Sequence, residues 1–178
     1  MAERALNAII TDINTQVKTV SFGSKITTRG LCYQQEKDGK TFPVENVNTR
    51  NANKISWDDK YPLQVYHRII APVEKETDIT KGFGNKASLM RVYQMRLVGI
   101  GKKASLSSAA YEDNQEICKA IEAVMPVWIT TAEYLEVGVM EVDKPTVYET
   151  EFPGVDLKKL SLEGVAFWID YTLKIKIC

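Results

Sequence analysis

The sequence predicts an α+β fold, a mainly antiparallel sheet with two helices packed on one face, and three observations carry that prediction. The N-terminal segment has the apolar period of a helix, the C-terminal segment alternates strictly as a strand does, and the stretches between are rich in β-branched and aromatic residues punctuated by turn signals. At 178 residues with 44% hydrophobic content, the chain has the length and apolar material of a single domain.

The elements follow in order. Leu6, Ile9, Ile10, Ile13 and Val17 fall on one helical stripe, with Arg4, Asn7, Thr11, Asp12 and Asn14 on the other face, which predicts a helix over residues 3–18. Residues 30–35 and 41–47 flank Lys37-Asp38-Gly39-Lys40, and Asp-Gly supplies the positive φ angles of a tight hairpin turn. Residues 48–61, rich in Asn, Asp and Lys, predict a long surface excursion with Ile55 and Trp57 as anchors. Strands are expected over residues 63–73 and 89–101, separated by a contact arm at 74–88 that contains Gly82-Phe83-Gly84-Asn85.

Ser107 and Ser108 suit an N-cap, Glu112 and Asp113 suit the positive end of a helix, and Ile117, Ile121 and Val124 form a stripe that Pro126 ends. A strand at 134–142 precedes a third excursion, 144–158, with Pro145 and a Pro153-Gly154 turn. In the last strand Val165, Phe167, Ile169, Tyr171, Leu173, Ile175 and Ile177 share one face. Trp168 falls on the other, which leaves two explanations open: contact with another subunit, or burial under one of the chain's own excursions.

Familiar chemistry fails on named residues. His67, the single histidine, sits in a predicted strand with no second imidazole for a metal site or proton relay. Cys32, Cys118 and Cys178 are odd in number and far apart, which argues for free thiols rather than disulfides or zinc. Gly99-Ile100-Gly101-Lys102-Lys103 has Arg96 where a phosphate loop needs glycine, and Gly82 to Lys86 lacks the third glycine of a dinucleotide fingerprint. Asp58 with Asp59, or Glu112 with Asp113, read as solvated loop and helix-start residues. The expectation is therefore a protein without catalytic, metal or cofactor-binding residues.

Lys+Arg and Asp+Glu both number 23, so total charge does not indicate a nucleic-acid or membrane-surface protein. No apolar run approaches the roughly 18 residues of a membrane span, and Met1 to Arg4 lead into an amphipathic stretch rather than a signal peptide. Locally, Lys81, Lys86, Arg91, Arg96, Lys102 and Lys103 cluster around Tyr93, a pattern that suits either a phosphate backbone or acidic patches on a neighbouring subunit.

This order of elements, carried by residues 5–17, 111–124 and 164–177, resembles the tail-terminator and neck-ring proteins of tailed bacteriophages, including those of crAss-like virions. The resemblance implies a non-enzymatic virion protein, assembled in the host cytoplasm as a hexameric or twelvefold ring between portal and tail, around the DNA channel. It also implies that the long excursions reach neighbouring subunits or adjacent portal, neck and tail proteins. Trp57, Phe83, Tyr148, Phe152 and Trp168 are the expected inter-subunit contacts, and Lys81, Lys86, Lys102 and Lys103 the expected channel-facing bases. The competing expectation is a small monomeric module that binds a peptide or ligand through the sheet face at Trp168 or the arm at Phe83.

Overall fold

A computed structural model describes residues 6–37, 40–45, 63–78, 88–102, 114–125, 128–130, 133–151 and 164–177. Among them the chain runs α1 (Leu6–Val17), a 3-10 turn (Gly23–Lys25), β1 (Ile26–Lys37), β2 (Lys40–Glu45), β3 (Leu63–Ile69), β4 (Glu74–Asp78) and β5 (Ser88–Lys102). It continues with α2 (Asn114–Glu122), β6 (Trp128–Thr130), β7 (Glu133–Glu141), α3 (Lys144–Glu151) and β8 (Gly164–Ile177). The α+β class and the mainly antiparallel sheet are as expected.

The strands form one sheet in the order β2-β1-β3-β5-β8-β7-β6, with β4 beside β5 in line with β3. The β5–β8 ladder is its spine, running from Leu89 opposite Ile177 to Lys102 opposite Gly164. One pairing was not foreseen: β1 lies parallel to β3, from Ile26 opposite Leu63 to Leu31 opposite His67, while its second half turns back on β2. The hairpin ladder closes at Lys37 opposite Lys40, around the Asp38-Gly39 that predicted it.

On the front face the stripes of α1 and α2 bury Ile9, Ile10, Ile13, Val17, Ile117 and Ile121 against Leu63, Met95, Leu97, Phe167, Ile169 and Leu173. Each such side chain taken fully from water contributes about 1.5–3 kcal/mol, so this layer carries most of the apolar stabilisation. Gly99 permits its tightest contact. A Cβ at that position would overlap the ring of Phe167 on the neighbouring strand. At the start of α2, the Asn114 amide donates to the Ala166 carbonyl at 2.6 Å and accepts from the Ala166 N–H at 3.0 Å. The side chain thereby stands in for a neighbouring strand just past the last β7 pair, Glu141 opposite Trp168.

The helix count needs correction, because a third helix covers the opposite face. The segment read as an excursion begins with α3, and Asp143 caps it: its carboxylate accepts from the Thr146 N–H at 3.3 Å and from the Thr146 hydroxyl at 2.6 Å. Pro145 is tolerated in the first turn, where no intrahelical donor is needed. Val147 and Tyr148 then pack on Tyr66, Val98, Ala166 and Trp168 in a second, smaller core. Residues Gly164 to Ile169 of β8 are consequently buried on both faces.

Two further strands depart from expectation. The strand expected over 63–73 ends at Ile69, and a new one, β4, occupies the first part of the expected arm. Ile69 opposes Met95 and Glu74 opposes Val92, so β3–β4 spends five residues where β5 spends three. Pro72 falls in that break, having no N–H to offer a ladder. Short β6 pairs with the start of β7. Residues 48–61, 79–87 and 152–158 of the three expected excursions lie outside the described residues.

Candidate functional site

Among the described residues, chemistry-bearing side chains gather in two internal networks, and both are closed. Under α1, the Tyr171 hydroxyl lies 2.8 Å from Nδ1 of His67, whose Nε2 lies 2.9 Å from Oδ1 of Asn14. The Asn14 amide nitrogen donates to the Arg29 carbonyl at 2.9 Å, which fixes its oxygen towards the imidazole. Only one proton arrangement satisfies the whole chain: Nε2 donates to Asn14, and Nδ1 accepts from Tyr171. His67 is fully buried, and desolvation lowers its pKa from 6.5 to about 3, so it is neutral. Both nitrogens are occupied and no proton is on offer near neutral pH, which makes this histidine a tie between β8, β3, α1 and β1.

The back-face network ties α3 to the sheet. Fully buried Glu151 accepts from Arg68 at 2.6 Å and from the Tyr66 hydroxyl at 2.8 Å. Burial, reinforced by the Glu151 charge, raises the Tyr66 pKa, so the phenol stays protonated. Beside it Arg96 makes a two-pronged pair with Asp170 at 2.6 and 2.9 Å and stacks over Trp168, 3.7 Å from the ring centre. Sequence reasoning did not find Glu151, since its partners lie more than eighty positions away.

The expected site residues divide accordingly. Trp168 is 9% exposed beneath Arg96 and beside α3, and Tyr148 is fully buried with its hydroxyl donating to the Val165 carbonyl at 3.3 Å. Both are covered within their own chain, so of the two explanations for Trp168 the structure favours burial under a former excursion. Tyr93 belongs to the front core, and Arg96 is engaged by Asp170. Trp57, Phe83, Phe152, Lys81, Lys86 and Lys103 lie outside the described residues, as does the side chain of Lys102. Cys32 and Cys118 are buried free thiols, and burial pushes Cys118 up to about 12, far from a reactive thiolate. Cys178 lies outside the described residues.

What remains for contact is the periphery. An open groove of about 470 Å³ runs between α1 and β1, lined by Asn7, Thr11, Thr15 and Lys18 on one side and Thr28 and Arg29 on the other. Beyond it, the outer edges of β4, of Ile26–Leu31 in β1 and of Leu135–Glu141 in β7 have no strand partner among the described residues. Of the large exposed apolar side chains among the described residues, Ile70, Val73 and Val139 stand on or beside these rims, while Leu89 lies at the start of β5 between β4 and β8. No grouping of His, Cys, Asp and Glu among the described residues has the arrangement of a metal site, and no described helix is long and apolar enough to cross a membrane. The chain matches no family model, no curated protein and no solved structure.

Proposed function

We propose that this protein is a non-catalytic assembly subunit, a ring-forming virion component of the kind found at the head-to-tail junction of tailed bacteriophages. The single observation that carries this reading is that, among the described residues, the sheet leaves two different edges without a strand partner, Ile26–Leu31 of β1 with β4 on one side and Leu135–Glu141 of β7 on the other. A contact between unlike surfaces is head to tail, and repeated around an axis it closes into a ring. Open edges also supply unpaired backbone groups that another strand can satisfy. The resemblance in element order supplies the particle context: a hexamer or dodecamer between portal and tail, around the DNA channel.

Purified protein, alone or with neighbouring particle proteins, should give a cyclic oligomer by native mass spectrometry and negative-stain microscopy. A strict monomer under all those conditions overturns the reading. The groove between α1 and β1 favours one alternative, a monomeric module that binds an extended peptide or small ligand there. Saturable binding by a stable monomer, lost on widening Gly30 to Trp, would select it.

A further inference from the structure

The two rims match each other in position and shape, and in charge where β1 meets the end of β7. Strand direction comes first: β1 runs parallel to β3, and three antiparallel steps lead from β3 through β5 and β8 to β7. β7 is therefore antiparallel to β1, and a copy placed alongside without being turned over brings the two edges together as an antiparallel pair.

Position comes next. One row across the sheet is Tyr66, Val98, Trp168 and Glu141. At its near end Arg29 and Gly30 share the register break on β1 between Thr28, opposite Val65, and Leu31, opposite His67, so that break and Glu141 terminate the same row. A second row is Ile69, Met95, Tyr171 and Val137. Ile70 follows Ile69 on one rim, and Val139 stands in the register break after Val137 on the other.

Shape agrees. β1 pairs with β3 only as far as Leu31 and its second half pairs with β2, so among the described residues Arg68 and Ile69 have no strand beside them on that side and the paired edge there lies one strand spacing, about 4.8 Å, further in. On that step Ile70 and Val73 are exposed. On the opposite rim the extra residue of the β7 bulge pushes Val139 outward, 70% exposed. An apolar knob set against the apolar side chains of that step would take both out of water.

Charge agrees where β1 meets the end of β7. From Lys18 to Leu31 the rim carries Lys18, Lys25 and Arg29 and no acid, with Arg29 also donating to Gln64 at 3.1 Å, while β4 farther along the same side is mixed, with Glu74, Glu76 and Asp78 beside Lys75. From Leu135 to Asp143 the opposite rim carries Glu136, Glu141 and Asp143 and no base. Juxtaposed in a ring, β1 and the end of β7 attract; two β7 rims meeting in a two-fold dimer would repel.

We infer that copies of this chain join head to tail through these rims, Val139 of one copy seating on Ile70 and Val73 of the next while Glu141 faces Arg29. The inference rests on the assembly reading and names its contact. Native mass spectrometry of the full chain tests it. Val139→Asp and Glu141→Lys should each weaken assembly by about tenfold or more, and adding Arg29→Glu to Glu141→Lys should restore it. Circular dichroism melts check that each variant is folded. In a Cys178→Ser background, Ile70→Cys with Val139→Cys should cross-link on oxidation into a ladder ending at ring size.

A wild-type oligomer that tolerates Val139→Asp and Glu141→Lys overturns this contact and leaves the assembly reading standing. Cross-linking that stops at dimer overturns the head-to-tail arrangement. A wild-type protein that stays monomeric overturns the assembly reading itself, and the contact with it.

Discussion

The hydroxyl of Tyr171 donates to Nδ1 of His67 at 2.8 Å, edge-on at 89° between ring planes, and so commits the other imidazole nitrogen to Asn14. Stability should therefore depend on pH in a way that one residue controls. The folded pKa of His67 lies below its unfolded value, so the unfolded chain binds the extra proton. The contribution is fully present above pH 6.5 and is lost as pH falls below it towards about 3. Urea unfolding between pH 7 and 5 should lose about 1.4 kcal/mol per pH unit below 6.5 from this group, and His67→Gln should flatten the profile.

Asn14→Ala removes the acceptor for His67 and the donor to the Arg29 carbonyl together. Each part-buried group left unpaired costs about 1–3 kcal/mol, so the denaturation midpoint should fall clearly. Amide exchange should quicken first in the first half of β1, because that carbonyl is where α1 holds it.

Glu151→Ala leaves Arg68 without its carboxylate and the Tyr66 hydroxyl without its acceptor. Breaking a pair of which only Glu151 is fully buried should cost about 3 kcal/mol. The loss should appear as faster hydrogen exchange across α3 and as exposure of Trp168 to a fluorescence quencher. Unchanged quenching would mean that α3 is held by Val147 and Tyr148 alone.

Gly99→Ala should overpack the front core, because its new methyl would occupy the Phe167 ring. A cost of about 1–3 kcal/mol is expected in thermal melts, and Phe167→Leu in the same chain should recover part of it.

What the sequence made legible was set by period. The α1 stripe and the alternation of β8 repeat often enough to mark which face is buried, and Ile9, Ile13, Phe167 and Ile169 are buried as expected. β4, composed of Glu-Lys-Glu-Thr-Asp, carries no apolar pattern, and only its ladder with β5 makes it a strand. α3 was hidden by Pro145 and by having just Val147 and Tyr148 as apolar residues to bury, although Asp143 three residues before Thr146 was a readable cap. Among expected contact residues, Trp168 was correctly placed on the second face, but its cover depended on that unrecognised helix. The Glu151 and Asn14 networks join residues distant in the chain, where local composition has no voice.

The interruption at Ile70 to Val73 also bears on register. An unbroken edge running on from Ile69 to Asp78 would let an incoming strand slide by two residues at a time with little change in backbone pairing. Pro72 withholds a donor partway along, and the bulge at Val139 does the equivalent on the opposite rim. Each interruption acts as an index mark, so the rims can be aligned in one position and off-register stacking, the route to open fibres, is disfavoured.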